Sequence, residues 1–577
     1  MRKAAKAISI IMAAVFVLGL MPARAAEASS IISALFGSKM DLTPLKRYEQ
    51  PVTITVAREL NAGGQYAPGE NGSNNGFTKF IKDQLNIDIK VKWEVVGGEY
   101  NQRLALDIAS GDLPDTFSIF RDNMTAFNQL VQARRLADLT QIYNNALGGE
   151  TKKWVDTQDT KELLRFMTVN NKIYGITGGM EGYNYPFLWI RQDWLDAVGM
   201  EAPKTLDDMK KVALAFVDKK PGGQANTIGL AMQPVPKDIT AQWFGIEPVF
   251  AAVGSFPERW VRGRDHVGGR IIWGSVASET KDALRILNDW YSSGVLDKSF
   301  MTMKSGDEVR DTFVNTDACG MVFSAWWQPW PFWSDQVKKD ENVQWVPVLA
   351  PLGADGKFRA KNDASEPGGQ VVSSKCKNPE AVVKAMNLIA EVDNFRLYDD
   401  NEFIKPIRMH SDGRTNNPFR NGIVGNYDAR VKYARAINEM KRTGVMPEVD
   451  ATMDRNMIQA AYDFSQNANI MDAWYKDPNE RRNEQYQNYY VGHWAFDVVP
   501  NLLMSRTIVD ANTAFHGATK SMADFWPAMN DIVHQAFVQI ISGQKPVDYF
   551  DEMVDAWYKA GGDVITNEVN KQASGKK

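Results

Sequence analysis

Between Val52 and Phe120 the period of the apolar residues switches back and forth, and this alternation narrows the possible folds more than any other feature of the chain. Val52 to Ala57 (VTITVA) is rich in β-formers. Phe77, Phe80, Ile81 and Leu85 then recur at helical spacing. Ile87, Ile89, Val91, Trp93 and Val95 alternate strictly, as on a strand with one buried face. Leu104 and Ile108 belong to a second helix that Gly111 stops, because glycine accepts a left-handed C-cap without strain. After a turn at Leu113-Pro114-Asp115, Thr116 to Phe120 is a third strand. A βαβαβ unit of this kind closes through right-handed crossovers into a parallel sheet.

Open parallel sheets hold ligands beyond the carboxyl ends of their strands. Here those ends are Arg58-Glu59 and Arg121-Asp122, each a cation beside an anion and suited to gripping a hydroxyl-rich solute. Taken one at a time the same residues also read as solvated loop charges. The two guanidinium forks would match the carboxylate of an acidic sugar such as a uronate. Each also has an acidic neighbour to satisfy it, so the sequence leaves the acidity of the solute open.

The first residues carry an export signal. Arg2, Lys3 and Lys6 precede an apolar run from Ile8 to Leu20, and Ala23-Arg24-Ala25 offers the small residues that signal peptidase accepts. The run is short of the ~20 apolar residues that span a bilayer. Residues 1–25 are therefore expected to be a cleaved signal peptide, leaving Ala26 first. The leader holds four basic residues (Arg2, Lys3, Lys6, Arg24) and no acid, so its removal makes the net charge of −4 more negative by four. An acidic chain without clustered Lys and Arg is not built for nucleic acid or anionic lipid. No later stretch is apolar for long enough to cross a membrane. Cys319 and Cys376 are the only cysteines; they read as two buried thiols or as a disulfide, and neither follows the leader where a lipoprotein is acylated.

Two polar loops, Asn61 to Gly76 and Pro351 to Gly369, interrupt the patterned segments. The last third reads as helical. Asn378-Pro379-Glu380 opens a helix in which Val382, Met386 and Ile389 share a face. Ser521 caps another whose buried stripe is Phe525, Met529, Val533, Phe537 and Ile540, ending at Gly543. Phe550, Met553, Val554 and Trp557 mark a further one before Gly561, and all these stripes read as core packing.

Catalytic and metal signatures are missing. The five histidines, His266, His410, His493, His516 and His534, form no two-His helical zinc motif, and there is no G-x-S-x-G elbow or Walker loop. No cofactor and no metal are expected. A paired-carboxylate glycosidase site is not excluded, since such pairs are close in space and not in sequence. Aromatic residues are abundant: among 17 Trp the densest group is Trp326, Trp327, Trp330, Phe332 and Trp333. Such a run cannot all enter one core layer, and flat rings suit the apolar faces of pyranose sugars. Trp243 and the run Tyr183-Asn184-Tyr185 are weaker candidates of the same kind, and core packing accounts for about half of the cluster equally well.

The segment LWIRQDWLDAVG, from Leu188, followed by APKTLDD closely resembles the extracellular solute-binding proteins of ABC sugar importers, in the long branch that takes alginate, pectin-derived and similar oligosaccharides. ASGDLPD (Ala109 to Asp115), LNDWYSSGVLD (Leu287 to Asp297), CGMVFSAWW (Cys319 to Trp327), FHGATKSM and AGGDVITNEVN agree in order, so the resemblance spans the mature chain. It implies an α/β fold of periplasmic-binding-protein-like type II, two lobes with a hinge and a ligand cleft between them. The first lobe would comprise residues 26–175 and 319–376, the second 176–318 and a helical 377–577. By position, Arg58, Glu59, Arg121 and Asp122 match loops that meet sugar in related receptors, Trp326 and Trp327 a strand end that supplies a stacking ring, and Trp243 a segment that can supply another; Trp330, Tyr183 and Asn184 stay candidates on their aromatic and amide chemistry alone. Trp189 and Trp194 belong to the scaffold, while Asp112 and Asp115 shape a turn. Many long-branch relatives carry a calcium loop where this chain reads DKKPGGQAN, from Asp218 to Asn226; Lys219 and Lys220 stand where carboxylates are wanted, so that site is expected to be lost. The implied protein is a monomer outside the membrane that captures a carbohydrate and passes it to the permease subunits of an importer. A secreted polysaccharide-degrading enzyme and a ligand-presenting sensor domain are the alternatives.

Overall fold

The computed structural model describes residues 40–60, 66–96, 99–120, 123–156, 164–177, 185–233, 243–263, 269–303, 306–326, 336, 340, 342–361, 368–395, 397–409, 417–419, 423, 429–448, 452–466, 493–511, 513–515 and 519–574. The opening alternation forms as expected: β1 is Val52–Leu60, α1 Gly76–Leu85, β2 Ile87–Val96, α2 Tyr100–Ser110 and β3 Thr116–Ile119. Gly111 caps α2 at φ 77°, and Asn75 opens α1 with a capping box to Thr78. β1 lies between β2 and β3, parallel to both. Asp115 fixes the turn before β3, its Oδ2 accepting from the backbone N–H (2.8 Å) and hydroxyl (2.7 Å) of Thr55.

Beyond β3 the sheet continues with two antiparallel strands, Gly369–Val372 and then Gly175–Ile176. Each of its faces carries a core. Ile54, Val56, Phe77, Phe80 and Ile81 pack with Val372 on one face. Ala57, Tyr100, Leu104, Phe117 and Phe127 pack with Val371 on the other. The neighbours Val371 and Val372 fall in different cores because successive strand side chains point to opposite sides.

A second sheet forms around Phe187–Arg191, with Met321–Ser324 and Trp345–Val348 antiparallel on its two sides. It too is covered on both faces. Leu188, Ile190, Met321 and Phe323 meet the helices Met522–Ile541 and Tyr549–Trp557, while Phe187, Trp189, Val322 and Trp345 enter a separate core. This pairing differs from the expected return of residues 319–376 to the first sheet. Among the described strands of that stretch Gly369–Val372 makes the return, whereas Met321–Ser324 and Trp345–Val348, apolar on both faces, hydrogen-bond to Phe187–Arg191, and Phe358–Lys361 pairs with Ile508–Ala511.

Helix Pro379–Phe395 also lies elsewhere than expected. It packs in the first sheet's core and is buried almost all round, so the stripe of Val382, Met386 and Ile389 is only part of its contact. Its polar residues serve neighbouring elements: Glu391 accepts from the Thr151 N–H (2.7 Å) at the start of helix Gly149–Val155, a carboxylate at the positive end of a helix. Asn387 accepts from the Gly148 N–H at 2.9 Å. Met529, Val533, Phe537 and Ile540 are buried as the stripe predicts, but Phe525, in the helix's first turn, is 38% exposed. The chain passes from the first sheet to the second after Ile176, back before Gly369, and away again to a helical layer formed by Ala429–Thr443, Thr452–Gln466 and His493–Val498. Among the described residues no helix is long and apolar enough to cross a membrane.

Candidate ligand site

At the carboxyl end of β1, a register shift between Val56 and Ala57 places Arg58 opposite Glu94 of β2. The guanidinium Nε lies 2.9 Å from Glu94 Oε2, and the Arg58 side chain is 3% exposed. The Tyr66 hydroxyl donates to the same carboxylate oxygen, and its ring lies 5.8 Å from the guanidinium carbon. Burial and the bond to Glu94 push the Tyr66 phenol well above its ordinary pKa, so it stays a proton donor. Gly72 makes this closure possible: a Cβ there would sit 2.8 Å from Val91, 2.9 Å from Glu94 Oε2 and 3.1 Å from the Tyr66 hydroxyl. Ser73 completes it by accepting from the Val91 N–H at 2.8 Å, which covers part of the sheet's edge. Glu59, half-buried, acts electrostatically on Tyr100 of α2.

β3 ends beside a polar set that sequence reading did not single out. Ser118 donates to Gln370 Oε1 (3.0 Å), Gln370 donates to Thr116 Oγ1 (2.7 Å), and the Tyr100 hydroxyl accepts from the Ser118 N–H (2.9 Å). Polar residues alternating with apolar ones in GGQVV and TFSIF were the available signal, but every one of them is buried and reads from sequence as an ordinary strand face. Arg121 and Asp122, which follow β3, lie outside the described residues.

The second sheet brings two of the predicted aromatics to one strand end. Trp243 forms a β-bridge with Ser324, and the Phe244 N–H donates to the Phe323 carbonyl at 2.8 Å. Gln233 fixes the same turn by donating to the Trp243 carbonyl at 2.7 Å. Two residues past Ser324, Trp326 is half-buried, with the Arg430 guanidinium carbon 4.6 Å from its ring centre and Phe496 edge-on at 5.2 Å. Arg430, 1% exposed, had no distinguishing mark in the sequence. Tyr183, Asn184, Trp327 and Trp330 lie outside the described residues, and Tyr185 is fully buried.

The LWIRQDW segment holds this strand end in place. Arg191 donates to both oxygens of Asp193 (2.8 and 2.6 Å) and to Asp317 (2.6 Å). The Trp189 indole donates to the carbonyls of Ser324 and Ala325, each at 3.2 Å. Trp189 and Trp194 are both 1% exposed, in keeping with a scaffold role. In the loop at Asp218 to Asn226, the Lys220 ammonium donates to the Ala225 carbonyl at 3.1 Å and Lys219 pairs with Asp218. Cys319 and Cys376 are free thiols; the first sits in a core of the second sheet, the second against the first sheet's core. Burial pushes both up to about 12.

The model of the bacterial extracellular solute-binding protein family matches residues 69–394. Lipoprotein LipO of Bacillus subtilis (strain 168) is 23% identical over 524 residues, covering 88% of this chain and 90% of the relative. The crystal structure of alginate-binding protein AlgQ2 without calcium ion superposes with a TM-score of 0.59 at 14% identity, over 92% of this chain and all of that one. The S. pneumoniae ABC-transporter substrate-binding protein FusA in complex with kestose gives 0.57 at 15% identity, over 91% and 99%. These likenesses bear out the two-lobed, periplasmic-binding-protein-like fold that the sequence implied.

Proposed function

Because the chain belongs to the bacterial extracellular solute-binding protein family, we propose that it captures an oligosaccharide between its lobes and delivers it unchanged to the permease of an ABC importer. The observation that carries this reading is the pair Trp243 and Trp326 on one strand end, braced by Trp189 and Arg191. A pyranose presents a C–H face that stacks on such rings, and closure of two lobes about a hinge excludes water from the complex. The likeness to a receptor in complex with kestose supports an oligosaccharide as the cargo.

In this proposal Trp243, Trp326, Trp327 and Trp330 supply stacking surface, Tyr183 and Asn184 add to it from the crossing after Ile176, and Glu59, Arg121 and Asp122 meet hydroxyls from the first lobe. Arg58, at 3% exposure, acts from behind them by holding the strand end. The lobes are proposed to divide by strand pairing, with residues 40–176 and 369–423 in the first and 187–361 and 429–574 in the second. Residues 1–25 direct export and are removed before Ala26, and the protein works as a monomer outside the membrane.

Calorimetry with a series of oligosaccharides tests the reading. Binding of at least one with a dissociation constant near the micromolar range, about 8 kcal/mol, is expected. Trp326→Ala with Trp327→Ala should abolish it while the circular dichroism stays unchanged. Absence of heat and of thermal stabilisation with every sugar would overturn the carbohydrate assignment; full affinity in the double variant would overturn the choice of aromatics.

A further inference from the structure

We infer, resting on the reading that the strand ends of the first sheet face the cargo, that Phe120 and the amide pair Asn101–Asn123 form a subsite of the first lobe, which holds one sugar unit by its ring face and two adjacent hydroxyls. β3 stops at Ile119, so Phe120 is the first residue beyond its carboxyl end. Its ring is half-buried and lies T-shaped against Tyr100 of α2, with centroids 5.0 Å apart. Tyr100 is fixed in turn, being 1% exposed and bonded through its hydroxyl to the Ser118 backbone. Gly368 keeps a side chain off this corner from the neighbouring strand: a Cβ there would lie 3.4 Å from the Phe120 Cα, and its φ of 126° is one that glycine adopts without strain.

Asn123 opens helix Met124–Gln132, and an Asn in that place ordinarily turns its side chain onto the helix's first N–H groups. Here it makes no such bond. Its amide N–H donates instead to Asn101 Oδ1, in the first turn of α2, at 2.6 Å. Its backbone N–H donates to the Phe120 carbonyl at 2.9 Å. The ring and both amides are thereby gathered at one corner of the rim, where two helices start, on the face of the sheet that carries Tyr100 and Phe127. Both asparagines are half-buried. Their mutual bond leaves Asn101 its amide N–H groups and Asn123 its carbonyl oxygen, a donor and an acceptor for two neighbouring hydroxyls, each of which can play either part. A flat ring beside a few fixed polar groups is the makeup of a small-molecule site, and a pyranose brings a C–H face for the one and a hydroxyl edge for the other.

The experiment is calorimetry on the mature protein with the tightest-binding member of a panel of kestose, maltotriose, cellotriose and trigalacturonate. Phe120→Leu keeps an apolar side chain against Tyr100 but removes the flat face, and should weaken binding by ~5-fold or more. Phe120→Tyr keeps the face and should stay within ~2-fold of wild type. Asn101→Ala and Asn123→Ala should each weaken binding by ~3-fold or more. A ring that only packs would leave the affinity of Phe120→Leu unmoved. A smaller loss than expected with Phe120→Leu or with either amide variant, or a larger one with Phe120→Tyr, would overturn the inference, and the carbohydrate reading would stand on the binding of wild type. No binding of any panel member by wild type would overturn that reading and the inference with it. Should Phe120→Leu fail to fold, the two amide variants decide the matter.

Discussion

Replacing Arg191 by Met tests the idea that the LWIRQDW segment is a scaffold clamp. The guanidinium is buried and makes three charge-assisted hydrogen bonds of 2.6 to 2.8 Å, two to Asp193 and one to Asp317. Methionine keeps most of the stem that lies against Trp194 and Trp345, whose rings are 5.3 and 6.0 Å from the guanidinium carbon, so the loss is chiefly electrostatic. Removing one partner of a buried pair costs about 3–5 kcal/mol, because the other charge is stranded. Here the carboxylates are 21% and 35% exposed and can recruit water. Asp193 also keeps the Gln344 N–H at 3.2 Å. Both features put the cost at the lower end, ~3 kcal/mol. With a urea slope of about 2–3 kcal/mol per molar for a unit of this size, the second lobe's midpoint should fall by ~1 M. Tryptophan fluorescence follows it well, since Trp189, Trp194, Trp290, Trp345 and Trp557 are all buried there. Adding Asp193→Asn and Asp317→Asn to the same chain removes the stranded charges and should restore about half of the loss. A single variant within ~1 kcal/mol of wild type, or a triple variant no more stable than the single, would refute the reasoning.

Gly320→Ala should destabilise by ~1–3 kcal/mol, read as a lower thermal midpoint, because its Cβ would lie 2.3 Å from the Trp194 ring and 3.0 Å from Phe216. Asp41 is held at about 2: burial acts to raise it, but the Thr43 N–H and hydroxyl, Lys46 and Lys384 outweigh burial. A depressed carboxyl stabilises the fold above its unfolded value of 3.8 and loses that contribution as pH falls through about 2. Asp41→Asn should therefore lower stability near neutral pH, by no more than ~1 kcal/mol for a partly exposed group, and have no effect near pH 2; urea titrations at the two pH values check this. Calcium in excess and a chelator in excess should give the same thermal midpoint, since the Lys220 ammonium already bonds within the loop where the metal would bind.

The elements were far more legible than their partners. β1, α1, β2, α2 and β3 could be drawn from the sequence because each change of period reports a local fact, and Gly111 marks the end of α2 by local backbone chemistry. Which sheet a strand joins is not local. Met321–Ser324 and Trp345–Val348 are apolar on both faces and would satisfy either sheet, so only the pairing with Phe187–Arg191 settles the matter. Pro379–Phe395 misled for a related reason: a helix buried all round looks amphipathic when only its most apolar stripe is read. Phe525 misled in the opposite sense, since its ring lies against Gly561, in the segment after Trp557, and stays 38% exposed.

The site was legible as a place more than as a set of contacts. Strand-end reasoning led to Arg58 and the density of aromatic residues to Trp326, yet each is turned to a partner distant in sequence: Arg58 to Glu94 on the next strand, Trp326 to Arg430 on a far helix. In both a buried cation and a ring lie together, and in both the cation is what sequence reading would have given to the ligand or passed over. This bears on how the aromatic strand end can act. Arg191 ties Asp317 in the loop before Met321–Ser324, and Trp189 holds the two carbonyls just before Trp326. The strand is thus pinned at both ends, and the freedom left belongs to the Trp326 ring and the guanidinium over it. A sugar ring seeking the face that Arg430 covers must displace a cation–π contact worth about 0.5–2 kcal/mol. Arg430→Met would remove that competitor, so tighter sugar binding in this variant would show that the guanidinium and the cargo share the face, and weaker binding would show that Arg430 holds the ring in position for the other.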